Sequence, residues 1–202
     1  MQKPYPLLEL QDGEATIIAE WYSVAYDLQH VISASKLLVN MLQQSERDST
    51  IVRSLWSSAL ISYVRCFASG RRAKLDKKIY VDLLGDPIGT HQYYKDTRDK
   101  HIAHPVNAFE EVGVGLLLDE AGNVCIGHLA TFRICDDAEG VAQLSRLATF
   151  ALQYVMSVIE PLENQALARF VKDPTLIASL RPLRIQPQGG AEAARAPREM
   201  RD

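Results

Sequence analysis

Cysteine is scarce in this chain of 202 residues: Cys66, Cys125 and Cys135 are its three, and none stands in a CxxC pair. An odd, scattered set closes no disulfide framework and builds no cysteine zinc site, so reduced core thiols are expected. Long hydrophobic runs are missing as well. No apolar stretch approaches the roughly 20 residues that cross a bilayer, and the opening Met1-Gln2-Lys3-Pro4-Tyr5-Pro6 lacks the basic-then-apolar order of a signal peptide. A soluble cytoplasmic protein with no membrane partner is the expectation. There is no phosphate-cradling P-loop, no dinucleotide fingerprint, no GxSxG nucleophile turn and no internal repeat. An excess of positive charge is also absent. The formal net charge of −3 argues against a surface coated for non-specific nucleic-acid binding.

The charge that is present is unevenly placed. Residues 65–104 carry nine Lys/Arg (65, 71, 72, 74, 77, 78, 95, 98 and 100) against five Asp (76, 82, 86, 96 and 99), about +4 locally, which leaves about −7 on the rest. Such a segment offers an anion-binding face on an acidic body, or a solvated loop and helix surface.

With 47% hydrophobic residues, the chain can bury one core, and a single helical domain over 1–174 is expected. After a short extended lead-in closed by Asp12-Gly13, apolar residues from Ile17 through Trp21, Val24, Leu28 and Val31 to Leu42 recur at three- and four-residue steps. That spacing predicts one continuous amphipathic helix, free of Gly and Pro between Glu14 and Gln44. Asp48 or Ser49 caps a second helix with the stripe Val52, Leu55, Trp56, Ala59, Leu60, Tyr63, Val64 and Phe67, stopped by Gly70. Two long helices across so short a turn pack as an antiparallel hairpin. From Arg71 to Gly89 a short basic helix and then a loop are expected. The next helix opens near Thr90 and ends before Pro105. The period then changes to two. Val112, Val114, Leu116 and Leu118 line one strand face, residues 119–123 turn, and Val124 to Leu129 returns, a β-hairpin at about 110–134. Asp136-Asp137 caps a last long helix, which Pro161 should kink or restart. The fold class expected is mainly α: an antiparallel bundle of four to five helices with the β-hairpin inserted before the last long helix. Residues 175–202, rich in Pro, Gly, Ala and Arg, are expected to be disordered.

One segment carries candidate chemistry: Arg98-Asp99-Lys100-His101-Ile102-Ala103-His104. Arg98 offers a planar, always-charged fork for a phosphate, and a histidine such as His104 exchanges protons near neutrality. At a helix C-terminus the dipole favours His104 as imidazolium. An Arg, a polar residue, and a His after four to six intervening residues is similar to the motif of the HEPN superfamily, and Arg98-Asp99 with His104 fits that spacing. The long helical pairs before and after the motif resemble that superfamily's bundle, although the β-hairpin is not part of its minimal pattern.

The resemblance implies a metal-independent endoribonuclease without cofactor, working as a homodimer whose motifs meet in one cleft. Arg98 would hold the scissile phosphate, His104 would act as general base or acid, and Asp99 would orient one of them. Lys100, His101, Arg65, Arg71 and Arg72 are candidate substrate contacts, and RNA and a protein partner such as an antitoxin are the implied partners. On an ideal helix Arg98 and His104 stand about 120° and roughly 9 Å apart. Either His104 leaves the helix before Pro105, or the working pair is assembled across the dimer.

Two other readings compete. His101 and His104, three apart, share neighbouring helix positions and could bind a metal with Asp96 or the more distant His91, but positions 97 and 100 are Thr and Lys rather than carboxylates. Alternatively the chain is a non-catalytic helical dimer or a binding module for protein or nucleotide. Trp21, Trp56, Tyr63 and Phe67 sit on helix stripes and read as packing.

Overall fold

The computed structural model describes residues 7–10, 13–70, 72–102, 110–118, 120, 122 and 124–183. Among the described residues four α-helices make the body: α1 Gly13–Leu42, α2 Ser49–Arg65, α3 Pro87–Thr97 and α4 Ala138–Lys172. An antiparallel ribbon, β1 Glu110–Leu118 paired with β2 Val124–Phe132, lies between α3 and α4 in the chain. The fold is therefore mainly α with an inserted hairpin. Among the described residues no helix is long and apolar enough to cross a membrane.

The three long helices form because their apolar residues repeat on one stripe, and they pack through it. α1 buries Val24, Leu28, Val31 and Leu38, α2 buries Val52, Ala59, Leu60 and Tyr63, and α4 buries Leu144, Ala148, Val155 and Ile159. Each fully buried Leu, Ile or Val contributes roughly 1.5–3 kcal/mol. Polar contacts fix the directions. On α1, Glu14 meets Arg169 and Tyr22 meets Glu163 of α4, while Asp27 meets Arg65 and His30 meets Ser58 of α2. In both pairings the partner number falls as the α1 number rises, so α4 and α2 each run antiparallel to α1. At the end of α1 the Arg47 Nη1 donates to the Leu42 carbonyl at 3.2 Å, placing a cation on the negative end of the helix dipole. The stripe is narrower than its period implies, since Ile17 and Leu37 are exposed.

Several boundaries differ from the sequence expectation. Asp48 does cap α2, its carboxylate accepting from the Thr50 and Ile51 N–H groups, but α2 ends at Arg65 rather than at Gly70. The basic stretch after it is a 3-10 turn, Lys77–Tyr80, capped by Asp76. α3 opens at Pro87, three residues before the expected Thr90. The residues that read as breakers are its start: Asp86 is the N-cap, and Pro87 occupies a first-turn position whose N–H has no intrahelical partner anyway. Gly89 completes it. A Cβ there would overlap the Asp86 carboxylate, which accepts the Gly89 N–H at 2.8 Å. Helix α4 runs through Pro161 without restarting. Both Pro161 and Ser157, whose carbonyl loses its helical donor, are on the solvent face, where water can replace the bond. The expected disorder does not begin at 175. Pro174–Ser179 forms a 3-10 turn, and Leu8 and Pro182 form an antiparallel bridge in which the Leu183 N–H donates to the Leu7 carbonyl and the Glu9 N–H to that of Arg181. Residues 184–202 lie outside the described residues.

Candidate functional site

Helix α3 carries the candidate segment, and tyrosines bolt it to the body. Tyr94 packs edge-on against Trp56 of α2 and donates to the Gly140 carbonyl of α4 at 2.6 Å. Tyr93 donates to the Asp136 carboxylate at 2.8 Å, just ahead of α4. At the end of α3 the Thr97 hydroxyl bonds back to the Tyr93 carbonyl at 2.8 Å, a contact that loosens and bends helices. The very next residues, Arg98–Ile102, form a π-helical turn. Such i→i+5 turns are rare and gather at functional sites. This turn turns the side chains after Thr97 away from ideal α positions, so the angle drawn from a straight helix does not apply. His104 itself lies outside the described residues.

At the turn three charged groups form a chain. The Arg98 Nη1 is 2.9 Å from one Asp99 oxygen, and the Lys95 Nζ is 3.0 Å from the other. One carboxylate thus sits between two cations, leaving one positive charge in excess. The Arg98 Nε is buried and makes no hydrogen bond among the described residues, an orphaned donor that costs stability. Lys100 points the other way and stands 4.0 Å from Asp96, which also accepts from the Gln92 amide at 2.9 Å. His101, half-buried, borders a crevice of about 40 Å³ with Trp56 and Ser57 of α2, Phe132 at the base of the hairpin, and Arg133 and Cys135 beyond it. That volume holds water molecules but no nucleotide. Burial pushes the Cys135 thiol up to about 12, so it is no thiolate nucleophile at neutral pH.

The remaining predicted contacts are elsewhere. Arg72 donates to Asp27 at 2.5 Å and to the Ser23 hydroxyl at 2.8 Å, and Arg65 approaches the same carboxylate at 3.7 Å. They staple the end of α2 and the segment after it to α1. Ser57, at the crevice, precedes Arg65 by eight residues on α2, about 12 Å along its axis. Within one chain, then, Arg98, Asp99, Lys100 and His101 share one π-helical turn, with Lys100 turned toward Asp96, and Arg65 and Arg72 do not join them. Arg71 lies outside the described residues.

His91 is turned inward, against the metal-ligand reading. Its ring is buried against Phe67, 4.4 Å between centroids, and its Nδ1 lies 2.9 Å from the Tyr63 hydroxyl. Burial, reinforced by Lys77 and Lys95, lowers its pKa to about 4. Among the described residues no group of three or more His, Cys, Asp or Glu could hold a metal ion. The sequence reading missed this histidine's network, the π-helical turn and the hairpin's share of the crevice. Only the turn had a local signal, the helix-loosening Thr97 directly ahead of the basic run. Compared with protein-family models, with curated proteins and with solved structures, the chain gave no match.

Proposed function

We propose that this protein is a metal-independent endoribonuclease of the HEPN type, acting through Arg98, Asp99 and His104 at a cleft between two copies. The observation that carries this reading is the Lys95–Asp99–Arg98 charge chain at a π-helical turn. It presents a guanidinium held in place by Asp99 and still partly exposed, a planar fork suited to a phosphate. In the reaction His104 takes the proton of a ribose 2′-hydroxyl, the 2′-oxygen attacks phosphorus, and the 5′-oxygen leaves with a proton from a second acid, the His104 of the other copy. Arg98 offsets the charge that builds on the phosphoryl oxygens. His101 flanks the scissile phosphate.

The hairpin supports the dimer. Val112, Val114, Leu116, Leu118, Val124 and Ile126 share one face of the ribbon and are each 56 to 72% exposed. Six such side chains leave on the order of 500 Å² of apolar surface, more than a monomer usually shows in one patch. A two-stranded ribbon by itself is also marginal in water. A second copy laid on this face buries it. Because the hairpin base borders the crevice beside His101, the Val112 end of this face is the part nearest the candidate site.

Incubating the protein with mixed RNA in excess chelator tests the reading. Cleavage is expected from the unaltered chain and its loss from His104→Ala. RNA left intact by the unaltered chain, or cut equally by His104→Ala, refutes it. The hairpin equally suits a non-catalytic binding module, the reading that intact RNA would favour.

A further inference from the structure

A second cavity, of about 340 Å³, opens where α3 meets the end of α2 and the segment around the 3-10 turn, lined by Phe67, Lys74, Leu75, Lys77, His91 and Lys95, among others. Its size is that of a small-molecule site. Its chemistry is uneven: three lysines stand over an aromatic wall. Lys74 and Lys77 make no ion pair or hydrogen bond through their side chains among the described residues, and Lys95 shares Asp99 with Arg98. The acidic neighbour, Asp76, has one oxygen committed to the Lys78 N–H at 2.9 Å, capping the 3-10 turn. The lysines therefore outweigh it by two charges.

The wall behind them is rigid. Tyr80 donates to the Leu147 carbonyl at 3.1 Å, Tyr63 donates to Tyr80 at 3.2 Å, and Tyr63 therefore has only a lone pair to offer His91 at 2.9 Å. His91 must carry its proton on Nδ1. Its Nε2 is left as an acceptor on a ring that lines the cavity, suited to a donor on the ligand. The unpaired ammonium groups of Lys74 and Lys77, the ring of Phe67 set edge-on to His91 and a hydrogen-bond acceptor together fit an anion attached to a small planar group.

We propose that this cavity binds the phosphate of a nucleotide, with Lys74, Lys77 and Lys95 as counter-charges and Phe67 beside the base. The nucleotide is either free or part of an RNA strand. The inference does not depend on cleavage at Arg98. In the second case Lys95, one helical turn before Asp99, places the cavity next to the proposed cleft.

Three probes test it: inorganic phosphate, adenosine 5′-monophosphate and a short uncleavable 2′-O-methyl RNA. Each is titrated while the His91 ring resonances are followed by NMR. Saturable shifts of His91 are expected, with affinity about tenfold or more weaker in Lys74→Gln/Lys77→Gln and unchanged in Lys78→Gln, whose side chain is exposed and does not line the cavity. Lys74, Lys77 and Lys78 are all exposed, and matching circular dichroism checks the folds. A response to phosphate or the mononucleotide identifies a free ligand, and a response to the RNA alone identifies the strand. No shift of His91 with any probe, or equal affinity in the double variant and the unaltered chain, overturns the proposal. So does an equal loss in Lys78→Gln.

Discussion

Lowering the pH from 7 to 5 is expected to cost the fold about 2 kcal/mol through His91 alone. The folded ring titrates at about 4 because it is buried and faces Lys77 and Lys95, whereas in the unfolded chain it titrates near 6.5. Between those values the unfolded state binds a proton that the folded state refuses. The contribution is intact above pH 6.5 and is lost as the pH falls to 4, where the total reaches about 3 kcal/mol at 1.36 kcal/mol per pKa unit. His91→Phe removes the titrating group. Tyr63 keeps its own donor bond to Tyr80, so the substitution costs only about 1 kcal/mol at pH 7 and flattens the profile between pH 7 and 5. Urea unfolding of both proteins at the two pH values measures this. Equal losses in the two proteins, or an unaltered chain as stable at pH 5 as at pH 7, would refute the reasoning.

Other substitutions separate structural from site roles. Arg72→Ala removes the guanidinium bonded to both Asp27 and Ser23 in a half-buried corner and should lower stability by about 2 kcal/mol in urea unfolding. Arg65→Ala removes an exposed, 3.7 Å contact to the same carboxylate and should cost less than about 0.5 kcal/mol. Ile126→Lys puts a charge on the exposed apolar face of the hairpin, so sedimentation should show a dimer becoming monomer while the helical content is kept. A dimer unaffected by it would move the interface elsewhere.

The long helices and the hairpin were legible because period alone defines them: Val24, Leu28 and Val31 on α1, and Val112, Val114 and Leu116 on β1. What misled were residues whose meaning depends on position. Pro87 and Gly89 break a helix in its interior but start α3, since Asp86 caps it, and Pro161 is tolerated where solvent meets the freed carbonyl. At the site, Arg98 and Asp99 are neighbours in the chain and their pairing was readable. The diversion of Arg65 and Arg72 to Asp27 was not, because it depends on how α1 and α2 pack across more than thirty residues. The same holds for His91, whose partners Tyr63, Tyr80 and Leu147 are brought together only by the bundle.

End-group analysis of RNA treated with the protein in excess chelator shows which oxygen attacks the phosphorus. Attack by the ribose 2′-oxygen leaves 2′,3′-cyclic phosphate and 5′-hydroxyl ends. Those ends are expected from the unaltered chain, with a fall in cleavage on the order of 100-fold or more in a folded Arg98→Ala protein. Products ending in 5′-phosphate, or cleavage undiminished by Arg98→Ala, would contradict the proposed reaction.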